Sequence, residues 1–122
     1  MIEFFTAPAP NGWKVAIMLE ECGLAYEPRW VNLAAGDQHS QEYLAINPNG
    51  RIPAITDHAP GDGGEPVTVF ESGAVLLYLA EKAGRFLPAL SSPVRHCEDA
   101  DYGKIGRVYV SATTFFAENR AF

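Results

Sequence analysis

Cysteine is scarce in this chain. Two of its 122 residues are cysteines, Cys22 and Cys97. They form neither a CxxC pair nor a metal-ligand spacing, which argues against a dithiol redox centre and a thiolate metal site. Two thiols do not build a disulfide scaffold, and their use suits a reducing compartment. Positive charge is also short: nine Lys and Arg against fifteen Asp and Glu leave a net charge of −6. Up to Pro88 there are five basic and eleven acidic residues, and beyond it four of each. A nucleic acid or an anionic membrane surface is therefore an unsuitable partner. No apolar run approaches the roughly 20 residues of a membrane-spanning helix. Met1-Ile2-Glu3-Phe4-Phe5 lacks a basic n-region, so it does not read as a signal peptide. A cytoplasmic location is expected. Internal repeats are absent.

What is present suits one globular domain, because 48% of the residues are hydrophobic. Ile2 to Phe5 reads as a buried strand, followed by a Pro-rich loop over residues 6–10. Asn11 is a good N-cap for an amphipathic helix carrying Val15, Met18, Leu19 and Cys22 on one face. Gly23 supplies its stop. Residues 26–33 read as a second strand, 36–40 as a polar loop and 41–46 as a short helix. Asn47-Pro48-Asn49-Gly50 is dense turn chemistry. Ile52 to Thr56 and Val67 to Phe70 read as strands with no room for a crossover helix between them, so they should pair antiparallel. Ser72 to Ala83 carries Val75, Leu76, Leu79 and Ala80 at helical spacing and ends at Gly84. The order is β-α-β-α-β-β-α.

Two motifs carry the chemistry. A strand that begins at an Ile-Pro step is unusual, because proline cannot donate to a sheet ladder. If the Ile52-Pro53 bond is cis, the Ile52 N–H and C=O face outward and can pair with an extended peptide. Glu71-Ser72-Gly73 opens the last helix, where unpaired N–H groups suit a carboxylate. Together they describe a receptor for a short, acidic, peptide-like molecule. Each has a plainer reading, as a strand-start proline and a capped helix start. Asn11 is equally a plain N-cap or a group that stabilises a thiolate. Cys22, on the apolar face, reads as core. His96-Cys97, near Asp99 and Asp101, lacks ligand spacing, so no metal site is expected.

The segments Ala7-Pro8-Ala9-Pro10-Asn11-Gly12-Trp13-Lys14-Val15, Asn47 through Ile55, and Gly63-Gly64-Glu65-Pro66 through Ala74 resemble the N-terminal domain of glutathione transferases. They are most similar to the bacterial nu class of glutathione-dependent disulfide reductases. The resemblance covers residues 1–88 and implies an α/β, thioredoxin-like fold, with residues 89–122 a tail that does not match. It implies glutathione as co-substrate, and as partner a small disulfide, a peroxide or an electrophile. The expected activity is disulfide or peroxide reduction, with conjugation to electrophiles beside it; a homodimer is one expectation. The resemblance assigns the Ile52 backbone, beside Pro53, to the cysteinyl unit of glutathione. It assigns Glu71 to the γ-glutamyl ammonium, Ser72 to the γ-glutamyl carboxylate, and Gln38 to the glycyl end. Asn11 falls near the sulfur.

Two departures stand against this pattern. The family usually carries Thr where this chain has Ala9, which leaves Asn11 as the main sulfur contact and Thr6 as a weak substitute. The family also continues into a helical domain that residues 89–122 do not resemble, so the chain reads as truncated. Val108–Phe116 is then expected to dock where that domain would sit. The competing readings are a glutathione-binding module with little or no turnover and a thioredoxin-like interaction domain that binds no thiol.

Overall fold

The computed structural model describes residues 1–61 and 63–86. The expectations placed on residues 89–122, including the docking of Val108–Phe116, lie outside the described residues. Four strands, β1 (Ile2–Thr6), β2 (Tyr26–Trp30), β3 (Ala54–Asp57) and β4 (Val67–Phe70), form one sheet in the order β2-β1-β3-β4. β1 and β2 are parallel, while β3 runs antiparallel to both β1 and β4. Three helices complete the fold: α1 (Pro10–Cys22), α2 (Gln41–Ile46) and α3 (Ser72–Ala83). Element order and pairing are those of the thioredoxin-like fold.

Alternation along β1 sets the layers, because successive side chains of a strand point to opposite faces. Ile2, Phe4 and Thr6 are buried, while Glu3 and Phe5 are not. Ile2 and Phe4 meet Val15 and Leu19 of α1, Ile55 of β3, and Val75 and Leu79 of α3 in one core. Burying each such side chain contributes about 1.5–3 kcal/mol. On the opposite face Phe5 packs edge-on against Tyr43 of α2, with ring centroids 6.1 Å apart. Near the other end of that face, Glu3 joins Arg29 at 2.8 Å and His58 at 2.8 Å. These hydrogen bonds, the one to His58 first, hold the Glu3 carboxyl below its ordinary range.

Several boundaries differ from the sequence expectation. α1 begins at Pro10, so its N-cap is Ala9 and not Asn11, which is the second helical residue. Proline suits the first helical position, where its missing N–H would have no partner anyway. β2 ends at Trp30, three residues early, and a single 3₁₀ turn over Asp37–His39 occupies the polar loop. β3 begins at Ala54, past the Ile-Pro step, because ladder pairing with β1 runs from Phe5↔Ala54 to Ile2↔Asp57. Both long helices do end at the anticipated glycines, Gly23 and Gly84.

The last residue of β3 is a fully buried carboxylate. Asp57 accepts hydrogen bonds from Tyr78 at 2.7 Å and from the Ala59 N–H at 3.0 Å, and pairs with Lys82 at 2.7 Å. These contacts tie β3 to α3 and close the start of the hairpin loop. Burial pushes the carboxyl up, but the hydrogen bonds from Lys82, Tyr78 and Ala59 together outweigh it and lower its pKa. A carboxyl lowered by folding contributes stability that is present above its unfolded pKa, about 3.9, and lost as pH falls through the folded value. Asp57→Ala should therefore destabilise the chain near neutral pH. Loss of one partner of a buried pair costs about 3–5 kcal/mol, and the low end applies because Lys82 can reach water. Melting curves from pH 7 to pH 3 should show the difference from wild type shrinking below about pH 4. A difference that stays constant with pH would remove the charge from this account.

Candidate glutathione site

The sheet gathers the candidate residues at one of its ends. β1, β2 and β4 finish there and β3 starts there, with Thr6 opposite Trp30 and Ala54 between Phe5 and Phe70. α1 follows β1 closely and α3 follows β4 directly, so both helix starts lie at that end too. In open α/β sheets ligands gather beyond the carboxyl ends of strands. A cleft of about 450 Å³, lined by Ala7, Pro8, Trp30, Leu33 and neighbours, opens at the same end.

The Ile52–Pro53 peptide bond is cis. Among the described residues neither the N–H nor the C=O of Ile52 is paired. The residue before it is firmly held: the Arg51 carbonyl accepts from the Tyr43 hydroxyl at 2.7 Å and from Asn47 Nδ2 at 2.6 Å. Burial pushes the Tyr43 hydroxyl up to about 12, so it stays protonated and able to donate. Asn47, 1% exposed, also uses its Oδ1 to accept from the Asn49 N–H at 3.0 Å. The turn over residues 47–51 is thus fixed from inside by one asparagine.

That turn makes two further contacts. Gly50 has φ of 61°, and a Cβ there would press into the His39 ring and the Gln38 carbonyl, so glycine alone fits. The 3₁₀ turn carrying Gln38 is thereby seated beside the start of the Ile-Pro step. Gln38 Nε2 lies 3.5 Å from the Leu33 carbonyl, and its Oε1 is buried without a partner among the described residues. On the other side, Asn49 Nδ2 donates to Glu71 Oε1 at 3.1 Å. Glu71 is the N-cap of α3, with φ of 70° and ψ of 123° and no side-chain cap bond. A positive φ is strained for a residue with a side chain and persists where the surroundings impose it. Ser72 follows, buried at the first helical position, and the first intrahelical N–H is that of Val75, which donates to the Glu71 carbonyl at 2.9 Å. The N–H groups of Ser72, Gly73 and Ala74 precede it and have no carbonyl of their own helix to reach.

Gln38, Ile52, Pro53, Glu71 and Ser72 therefore share one neighbourhood, organised by the 47–51 turn. Asn11 and Thr6 stand apart from that turn, on the loop between β1 and α1. Asn11 Oδ1 accepts from Lys14 at 3.1 Å, which leaves its amide N–H₂ turned elsewhere. Its backbone N–H precedes the first intrahelical bond, from Trp13 to the Ala9 carbonyl at 3.1 Å. The Thr6 hydroxyl is buried and donates to the Ala7 carbonyl at 3.4 Å. Gly12 lies against it so closely that a Cβ would collide with the hydroxyl and with the Ala7 carbonyl. Tyr43, Asn47 and Asn49 were not singled out from sequence. The signal available was Asn-Pro-Asn-Gly, which reads as a turn without saying what its side chains grip.

The profile of the glutathione S-transferase N-terminal domain matches residues 9–82. The chain belongs to the glutathione S-transferase family. Among curated proteins it is 56% identical over 87 residues to the disulfide-bond oxidoreductase YfcG of Escherichia coli, covering 71% of this chain and 40% of that protein. It is 49% identical over 76 residues to glutathione S-transferase 1 of Schizosaccharomyces pombe, covering 62% of this chain and 31% of that one. A glutathione transferase from Pseudomonas putida, solved with one glutathione disulfide per subunit, superposes with a TM-score of 0.69 at 48% identity. That match covers 71% of this chain and 37% of the other. The chain thus spans well under half the length of these relatives. Among the described residues no helix is long and apolar enough to cross a membrane.

Ala9 has the extended backbone of an N-cap but no side chain to cap with. Ala9→Ser should supply the missing acceptor for an early N–H of α1 and stabilise the chain by about 1 kcal/mol. Thermal melts read the change directly, and an unchanged or lower midpoint would show that the start of α1 is satisfied in another way.

Proposed function

We propose that this chain binds glutathione at the end of the sheet where Ile52, Glu71 and Ser72 meet, and serves glutathione-dependent reduction of disulfides or peroxides. The observation that carries the reading is the unpaired Ile52 backbone beside the start of α3. The cysteinyl unit of the ligand adds to Ile52 as a short strand would. Its γ-glutamyl carboxylate meets Ser72 and the free N–H groups of α3, and its ammonium meets Glu71. Gln38 serves the glycyl end. Membership of the family, and the glutathione disulfide held by the Pseudomonas putida relative, support the choice of ligand.

Glutathione is a weak nucleophile as a thiol, with only a few per cent thiolate at neutral pH. The start of α1 supplies partial positive charge and free N–H groups that favour the anion. Asn11 stands there, and Thr6 shapes the loop from beneath. The thiolate attacks one sulfur of a disulfide, forming a mixed disulfide and releasing the other sulfur as thiolate. A second glutathione thiolate then releases the remaining thiol and forms glutathione disulfide. Conjugation follows from the same anion attacking a carbon electrophile. The cleft beside Pro8, Trp30 and Leu33 is a suitable place for the acceptor.

A second reading keeps the binding and drops the turnover. It is favoured by the span of the chain, 40% of YfcG. The domain boundary near residue 88, a reducing cytoplasmic setting and a homodimer belong to the proposal in the same way. Ser72→Ala should weaken glutathione binding roughly tenfold or more, because a hydrogen bond to a charged group contributes about 1.5–3 kcal/mol. Cys22→Ala and Cys97→Ala should leave it near wild type. Calorimetric titration compares the three, and equal effects would take Ser72 out of the site. Turnover of a model disulfide by the wild-type chain then separates enzyme from binding module.

A further inference from the structure

Glu71 has a task that its own backbone does not secure. As the N-cap of α3 it makes no side-chain bond to its helix. Its side chain is flexible, and a freely rotating carboxylate gives up rotamer entropy each time it meets a ligand. One donor among the described residues holds it: Asn49 Nδ2, at 3.1 Å from Oε1. Asn49 is itself fixed, since its N–H donates to Asn47 Oδ1 at 3.0 Å and its neighbour Gly50 fits only as glycine against His39. Asn47 is held in turn by its bond to the Arg51 carbonyl at 2.6 Å, one residue before Ile52. The same asparagine pair thus sets the peptide-pairing edge and aims the carboxylate.

We propose that Asn49 is the positioning residue for Glu71: it holds one carboxylate oxygen so that the other is presented to the α-ammonium of a γ-glutamyl ligand. The inference rests on the glutathione reading above and deepens it, since it says how the site selects a ligand with a free ammonium. An amide suits the role. It donates without adding charge, so it leaves the negative charge of Glu71 available to the cation. A lysine in its place would neutralise Glu71, and an aspartate would repel it.

The test compares two probes by titration calorimetry: glutathione, and glutaryl-cysteinyl-glycine, which lacks the α-ammonium and is otherwise the same. Wild type should bind glutathione more tightly by roughly tenfold. Asn49→Ala should lose most of that preference while its affinity for the deaminated probe stays near wild type. Asn49→Leu keeps the length of the side chain without the donor and should behave alike, so the comparison stands if the alanine variant folds poorly. Adding Asn49→Ala to Glu71→Gln should cost little beyond Glu71→Gln alone, because the two act through one contact. If both probes weaken equally in the Asn49 variants, the residue only shapes the turn and the proposal is wrong. If the variants keep the wild-type preference, it is also wrong. If wild type itself shows no preference, the assignment of Glu71 to the ammonium fails before Asn49 is reached.

Discussion

The Arg51 carbonyl is the point on which the site depends. Two donors, one a phenol and the other an amide, converge on it within 2.7 Å. Both come from the segment just before it, α2 and the residue after α2, so the chain folds back on itself and closes a tight local loop. A buried carbonyl without partners costs several tenths to a few kcal/mol. Here it is satisfied from one side only, and that side fixes where the next residue points. Ile52 leaves the clamp with its own backbone groups open to a ligand, and the ladder resumes at Ala54.

The consequences spread along the turn. Gly50 seats the 3₁₀ turn that carries Gln38, and Asn49 reaches across to the N-cap of α3. Three chain segments far apart in sequence become one surface through a turn of five residues. Helix starts at the same end add partial positive charge in a chain whose overall charge is negative. An acidic ligand meets a local field opposite in sign to the protein as a whole, so the site selects by local geometry rather than by long-range attraction.

Stability is anchored at the other end of the sheet. Asp57 closes β3 opposite Ile2 and Val67, four residues from the edge that faces the ligand. Its pair with Lys82 and its bond from Tyr78 lock α3 against the hairpin. The start of α3 is left for recognition and its last turns for cohesion. This division lets the N-cap adopt a strained backbone at Glu71, because the helix is secured elsewhere.

Element types, their order and the core positions were legible in the sequence, because hydrophobic spacing and glycine stops act locally. Ile2, Phe4, Val15, Leu19, Val75 and Leu79 announce their burial by period alone. The Ile-Pro and Glu-Ser steps were legible for a similar reason: each breaks a local rule where an element begins. Asn11 misled, since a good capping residue was preferred to the Ala9 and Pro10 that in fact open the helix. Capping preference is a weak term beside the geometry of the loop that precedes it. The partners of Asn47, Asn49 and Tyr43 were decided only by tertiary structure. Their hydrogen bonds run to groups whose positions follow from how α2, the turn and α3 pack on the sheet, and an amide side chain carries no mark of what it will find there.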